Sequence, residues 1–377
     1  MIGMADDLLE LPRATAGELA VNNLNSSLAR AWEVSRHWPE RPAGIERIVD
    51  EEQIRVQFLG DVTALDRLSA LAAEQVRRHP DLPATYLAAA QVASMTHRFA
   101  DARMHLEAAK ACGAPAELAR RALLSIKQAQ GQDLSEVLEA RRQMAETSLE
   151  IQEQVAMGAL LADLGRLEDA ERSYRRAVQN YKGASPFPLA WVCFQLGLLW
   201  GELVPEPDLG RAAAWYERAI EYLPAYAGAR VHLAEICLES GNSEAAESLL
   251  TPVVASGDPE VRWRLSQVMA ALGRFDEADE QCEAARAAFE DLLSRHVLAF
   301  ADHAAEFYLN SGADPVRAFV LARLNLDNRP TFRAFELAHT AAIRAGEEGL
   351  AAELMAQAQT KFGSRRFSPV QRSHGGD

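Results

Sequence analysis

The amino-acid sequence predicts an all-α fold, an α-solenoid of stacked antiparallel helix pairs. Residues 160–181, LLADLGRLEDAERSYRRAVQNY, place Ala170, Tyr174 and Ala177 on one helical face, because spacings of three and four residues return to the same side of a helix. A similar segment returns at residues 269–289, MAALGRFDEADEQCEAARAAF. Alanine and leucine supply most of the apolar residues, which favours helix over strand. The chain therefore repeats a helical hairpin.

From Ala170 onward, the order of a small, a large and a small residue recurs at intervals of 32 to 42 residues, and the step from Ala212 to Ala246 is 34. A small residue at the same place in each copy lets two helices approach closely. A glycine precedes most of these second helices and is expected to end the first helix of the pair. The remaining triplets are Ala102–Leu106–Ala109, Ala212–Tyr216–Ala219, Ala246–Leu250–Val253, Ala278–Cys282–Ala285, Ala318–Ala322–Asn325 and Ala351–Met355–Ala358. The glycines are Gly165, Gly241, Gly273, Gly312 and Gly346.

The first helices carry the matching half of the pattern. Gly158, Gly197 and Ala234 each follow a large apolar residue, and a small side chain there leaves room for the paired helix to cross. Pro224, Pro259 and Pro330 are expected to mark the ends of second helices, because proline cannot continue a helix. Both halves of the hairpin are thus predicted from residue size and spacing.

This pattern resembles the tetratricopeptide repeat, a 34-residue unit with W-x₂-L-G-x₂-Y, then A-x₃-F and then P. The resemblance is strong over residues 151–292 and weaker over 83–114 and 293–361. Two departures are the longer turn VPEPD at 204–208 and the missing leading Trp in most copies. The resemblance implies a superhelix of helix pairs, each burying its apolar face against its neighbours.

The regions on either side of the strong copies are assigned from weaker patterns. Residues 25–44 contain a helical stretch and then a proline-rich break, and residues 65–83 resemble the second helix of a degenerate repeat. The end of the chain is locally basic and has no helical period, which predicts disorder. The predicted organisation is an N-terminal helical arm or cap (1–60), degenerate helical repeats (61–150), the repeat array (151–361) and a disordered tail (362–377).

Composition argues against several classes of protein. The net charge of −15 is opposite to that of most nucleic-acid binders, so no nucleic-acid partner is expected. No apolar run approaches the length of a membrane span, and no membrane insertion is expected. The N-terminus MIGMADDLLELPRAT has no secretory pattern, and the four cysteines (Cys112, Cys193, Cys237, Cys282) form no C-x-x-C pair. We therefore expect a soluble, cytoplasmic protein.

One segment carries residues that can bind a metal ion. In RHVLAFADHAAEF (295–307), Asp302 and His303 are adjacent, Glu306 lies one turn further on and His296 two turns back. A single H-x-x-E without a partner from another helix is common by chance, so no metal, cofactor or catalytic residue is predicted. No nucleotide-binding or hydrolase motif occurs, and the chain is expected not to be an enzyme.

The resemblance instead implies a binding surface. In tetratricopeptide arrays, the first helix of each pair lines the concave groove and contributes its second, fifth, sixth, ninth and neighbouring positions. An aromatic residue can alternatively pack between repeats, and this remains open for Trp191 and Trp263. The groove residues implied for this chain are Trp191, Phe194, Gln195, Leu198, His232, Glu235, Glu239, Trp263, Arg264, Gln267, Asp302, His303 and Glu306.

Aromatic residues beside carboxylates suit a partner segment that is both apolar and basic, because aromatic anchors supply affinity and acids attract cations. The predicted function is a non-enzymatic scaffold or adaptor that binds a protein or peptide segment in the groove. Two alternatives stay open. One is a ligand-sensing transcriptional regulator, although residues 1–60 lack a basic recognition helix. The other is an accessory protein of a biosynthetic or secretion operon that presents a peptide to an enzyme.

Overall fold

The computed structural model describes residues 12–38, 44–148, 150–363 and 367. These residues form α-helices joined by short turns, and no β-strand occurs among them, so the predicted all-α fold is confirmed. The helices are α1 (Gly17–His37), α2 (Ile45–Leu59), α3 (Ala64–Arg78), α4 (Pro83–Met95), α5 (Phe99–Ala111), α6 (Ala116–Ala129), α7 (Leu134–Thr147), α8 (Ile151–Asp163), α9 (Leu167–Asn180), α10 (Pro186–Leu198), α11 (Leu209–Tyr222), α12 (Ala227–Glu239), α13 (Ser243–Leu250), α14 (Pro259–Ala271), α15 (Phe275–Leu309), α16 (Pro315–Asn328), α17 (Phe332–Arg344) and α18 (Glu348–Phe362).

From α4 onward, consecutive helices pack as pairs that stack into a solenoid. Helix α15 belongs to two pairs, because the backbone at His296 leaves the helical region (φ −137°, ψ 47°) and the helix bends there. Its first half packs against α14, and its second half begins the next pair with α16. The His296 ring turns to Asp66 of α3, with Nε2 2.8 Å from Oδ1, and so takes no part in a cluster with His303.

The predicted small residues lie where helices cross. Ala170, Ala177, Ala212 and Ala246 are all 0% exposed. On the facing helix of the first pair, Gly158 lies directly against the buried ring of Tyr174. Residue size thus sets the approach of the two helices.

The turns between paired helices follow the predicted glycines with one exception. Gly241 and Gly273 have φ values of 76° and 75°, a left-handed conformation that glycine adopts at little cost. At the Gly312 turn the positive φ (48°) belongs to Ala313 instead. Pro259 does not mark the end of a second helix: α13 ends at Leu250 and Pro259 is the first residue of α14, where its missing N–H is no loss.

Helices α1 and α2, in the region predicted as an N-terminal arm or cap, pack against the repeats. Leu24 and Leu28 of α1 and Phe58 of α2 are buried in one cluster with α10. The Tyr222 hydroxyl also donates to Pro12 O at 2.7 Å. Residues 1–11 and 368–377, which include most of the predicted disordered tail, lie outside the described ranges.

The N-terminal repeats also contact the C-terminal repeats directly. His97, in the α4–α5 turn, has its Nδ1 3.0 Å from Leu298 O, and its own carbonyl accepts from Asn328 Nδ2 at 3.0 Å. Arg329 Nε donates to Ala129 O, at the end of α6, at 3.3 Å. Residues about two hundred positions apart in the sequence are thus in direct contact.

Candidate binding site on the inner face

The predicted groove residues lie on first helices of successive pairs: α10, α12, α14 and the second half of α15. We call this surface the inner face and include α17, whose side chains reach it. Each helix presents a stripe with helical spacing, such as His232, Glu235 and Glu239 on α12. Most of these side chains are partly exposed, and Trp263 is the main exception.

Aromatic rings form one end of the inner face. The Trp191 and Phe194 rings are stacked 6.0 Å apart, and Phe194 also lies 5.2 Å from Tyr226. Phe58 from α2 meets Trp191 edge-on at 6.3 Å. Trp191 and Phe194 therefore pack against neighbouring rings on one side and remain partly exposed on the other.

Trp263 lies beneath the inner face and is 1% exposed. Its ring packs edge-on against Phe307 at 5.7 Å, and its Nε1 donates to Ser311 Oγ at 3.0 Å. The Arg264 guanidinium covers the ring at 3.7 Å. This geometry matches the alternative in which Trp263 packs between repeats, and it leaves Arg264 as the surface group.

His232 is the centre of an ion-pair network in the middle of the inner face. Its Nδ1 lies 3.0 Å from Glu202 Oε1 and 3.2 Å from Glu235 Oε2. Glu235 also pairs with Arg264, and Glu202 pairs with Arg333 of α17 at 3.0 Å. The Arg333 contact joins α17 to the turn that follows α10.

The network shifts the pKa values of its members in opposite directions. Burial by itself lowers the pKa of His232, but the charges of Glu202 and Glu235 outweigh burial and raise this pKa to about 10. Burial raises the pKa of Glu202, whereas His232 and Arg333 outweigh it and bring the value to about 2. Both groups are therefore charged at neutral pH.

A second cluster lies further along the inner face. The His303 Nδ1 is hydrogen-bonded to Glu260 of α14, and Asp302 pairs with Arg329 at 3.4 Å. Glu306 forms no ion pair with any residue in the part of the chain that the structure covers. Burial raises the pKa of Glu306 to about 7. This end of the inner face thus holds a carboxyl group outside the ion pairs of the described residues, with His303 and Arg333 as its nearby positive charges.

Glu239 is the most exposed of the predicted acidic residues on α12. Burial and then the nearby charge of Glu235 raise the pKa of its carboxyl group. Among the residues described, Glu239 has no ion-pair partner. Its carboxylate is therefore available to a cation from outside.

Three important groups of the inner face were absent from the sequence-based set: Glu202, Glu260 and Arg333. Glu260 and Arg333 are the second residues of α14 and α17, so the position rule of the repeat already contained the signal for both. Glu202 lies in a π-helical turn, Leu199–Leu203, that extends α10. No spacing rule predicts that extra turn.

The four cysteines are free thiols. Cys193 is buried among the core residues, and burial raises the pKa of its thiol to about 12.

The helices in the described ranges are all too short or too polar to cross a bilayer.

Residues 206–258 match the sequence profile of the family described as "Tetratricopeptide repeat". The predicted resemblance is therefore confirmed, and this range covers α11, α12 and α13. No curated protein matches the chain significantly.

Solved structures with similar arrangements show low identity. The chain is similar to one in the APC/C hetero-tetramer Cut9–Hcn1, with 13% identity, a TM-score of 0.38, and coverage of 86% of this chain and 55% of that one. The yeast Tom70 structure gives 12% identity and a TM-score of 0.33, covering 94% of this chain and 92% of that one. A chain in the structure of Naa15/Naa10 bound to HypK-THB gives 13% identity and a TM-score of 0.30, covering 93% of this chain and 63% of that one. The chain thus spans about half of the first of these structures.

Proposed function

Because the chain carries a tetratricopeptide-repeat match at residues 206–258, we propose that it is a non-enzymatic scaffold that binds an extended protein segment on its inner face. The observation that carries the proposal is the combination of partly exposed aromatic rings with unpaired carboxylates on one surface. The segment that fits this surface carries apolar side chains and Lys or Arg.

The aromatic end supplies the apolar part of the site. Trp191 and Phe194 are held from behind by Phe58 and Tyr226, so their orientation is set before a ligand arrives. A rigid aromatic surface loses little conformational entropy on binding, which is why such residues dominate binding energy at interfaces. An apolar side chain of the partner packs on this surface.

Glu235 and Glu239 of α12 supply the negative charge of the site. Glu239 has no cationic partner in the described part of the chain, so a Lys or Arg of the segment gains an ion pair without breaking an existing one. Glu235, in contrast, already pairs with His232 and Arg264. Glu239 is therefore the carboxylate through which charge recognition is best tested.

The experiment compares two pools of short fluorescent peptides by anisotropy. One pool combines Lys or Arg with Leu, Phe or Trp, and the other replaces the basic residues with Glu. Glu239→Lys is the test variant, and Glu217→Lys, an exposed glutamate on the outward-facing helix α11, is its matched control. We expect the wild-type protein to bind the basic pool selectively and more weakly as salt rises.

We expect Glu239→Lys to weaken binding about tenfold, which corresponds to ~1.4 kcal/mol, with Glu217→Lys close to wild type. Melting curves of both variants show whether the fold is intact. Equal losses in the two variants would indicate diffuse charge attraction rather than a site. Binding of neither pool, or of both pools equally, would refute the proposed recognition.

A further inference from the structure

His303 and Glu306 lie one turn apart on the second half of α15, and the fold brings a third ligand, a second carboxylate, to them from another helix. Glu260 of α14 places a carboxylate oxygen so near that one ligand atom from each residue lies within 4.8 Å of the others. The H-x-x-E spacing of His303 and Glu306 did not by itself predict a metal site, because the sequence shows no further ligand from a second helix. The stacking of α14 on α15 supplies that partner.

We propose that Glu260, His303 and Glu306 form a binding site for a divalent transition-metal ion, with Zn²⁺ as the best-fitting class. An imidazole nitrogen and carboxylate oxygens are normal Zn²⁺ ligands at about 2.0–2.2 Å. Two such ligands in tetrahedral geometry lie roughly 3.4 Å apart. Side-chain rotations alone close the remaining gap, because the site is on a partly open surface. Three protein ligands leave one position for water or for a group of a bound partner.

The backbone beneath the site is rigid. Ala304 and Ala305 are 0% exposed, and the buried rings of Trp263 and Phe307 pack between α14 and α15. The side chain of Asp258 accepts a hydrogen bond from the Glu260 amide at 2.9 Å and so fixes the start of α14. The helices therefore fix the backbone positions from which the three side chains reach the ion, which lowers the cost of ordering them.

A second cluster in the same protein shows why this one is distinctive. His232 and Glu235 have the same H-x-x-E spacing on α12, and Glu202 joins them from another element. There, Arg264 and Arg333 already neutralise the two carboxylates. A metal ion at that cluster would have to displace two guanidinium groups.

At the proposed metal site, the carboxylates form fewer ion pairs than those of the His232 cluster. Glu306 has no ion pair within the described ranges, and Glu260 is bound only through His303, itself a proposed ligand. A divalent cation neutralises both carboxylates and displaces the proton of His303, which is the present partner of Glu260, but it breaks no arginine ion pair. The charge balance thus favours metal at the His303 cluster over the His232 cluster. This inference depends on no part of the proposed peptide binding.

The experiment titrates the full-length protein, stripped of metal with a chelator, with ZnCl₂ by calorimetry and in competition with a chromophoric chelator. The test variants are Glu306→Gln and His303→Gln. The matched control is Glu235→Gln, which removes the corresponding carboxylate charge from the His232 cluster. Co²⁺ serves as a spectroscopic probe, because its visible absorption reports coordination by protein ligands.

We expect one Zn²⁺ per chain, a Zn²⁺-dependent rise in melting temperature, and visible Co²⁺ bands. Both test variants should weaken Zn²⁺ binding by at least about tenfold and lose the Co²⁺ bands, while Glu235→Gln keeps them. Melting curves without metal separate loss of ligands from loss of fold. No stoichiometric Zn²⁺ binding to the wild type, or unchanged binding in Glu306→Gln and His303→Gln, would overturn the assignment.

Discussion

Replacing Gly158 by alanine tests whether residue size sets the helix crossing. An ideal Cβ at this position would lie 2.6 Å from Tyr174 Cε1, 2.8 Å from Cδ1 and 3.0 Å from Cζ. Carbon atoms in favourable contact are about 3.5–4.0 Å apart, so the ring has to recede by roughly 1 Å. Tyr174 is only 1% exposed, so the ring has to move against other buried atoms.

Two opposing effects determine the size of the change. Alanine favours a helix over glycine by about 1 kcal/mol, whereas an overpacked core loses about 1–3 kcal/mol. Because three atoms of a buried ring are involved, we expect Gly158→Ala to destabilise the protein by about 1–2 kcal/mol. The matched control is Gly349→Ala in α18, where an added Cβ has no neighbour within 4 Å. That variant should be unchanged or more stable by up to about 1 kcal/mol.

Urea unfolding followed by far-UV circular dichroism measures the difference. Unfolding midpoints are compared, because a long repeat array need not unfold in a single step. Combining Gly158→Ala with Tyr174→Leu should recover part of the loss, since the smaller side chain makes room for the new methyl group. The reasoning is refuted if Gly158→Ala is as stable as wild type or gains stability as Gly349→Ala does.

Two further substitutions test packing and electrostatics. Ala246→Trp should destabilise the fold by about 1–3 kcal/mol, because Ala246 is 0% exposed at a helix crossing, and equal melting temperatures would contradict this. His232→Gln should lower the melting temperature in a pH-dependent way. The pKa of His232 is raised from 6.5 to about 10 on folding, so its contribution is complete below pH 6.5 and disappears as the pH rises through about 10. The lowered pKa of Glu202 adds stability that is present above pH 4.5 and is lost as the pH falls towards about 2. The deficit should thus be largest between pH 4.5 and 6.5 and vanish above about pH 10, and a deficit independent of pH would rule out this role.

The helical pairs could be predicted because their determinants are local. Helix period, a small residue such as Ala212 at a crossing and a glycine such as Gly241 at a turn all act over a few neighbouring residues. Spacing of three and four therefore reports the buried face without knowledge of the partner. For the same reason, the sequence predicts that His232, Glu235 and Glu239 lie on one face of α12.

Partners from other helices were not predictable in the same way. Whether Trp263 faces a ligand or packs beneath the surface depends on Phe307 and Ser311, which belong to the next repeat. The convergence of Glu260 with His303 depends on the relative positions of two stacked helices. Residue spacing within one helix contains no information about that offset.

The sequence by itself determined that the chain is a stack of helix pairs and which residues of each helix share one face. Only the tertiary structure decided which distant repeats touch, with His97 against Leu298 and Arg333 against Glu202. The physical reason is that superhelical curvature is the sum of small rotations between successive pairs. Each rotation depends on side-chain packing at one interface, and only their total brings residues two hundred positions apart into contact.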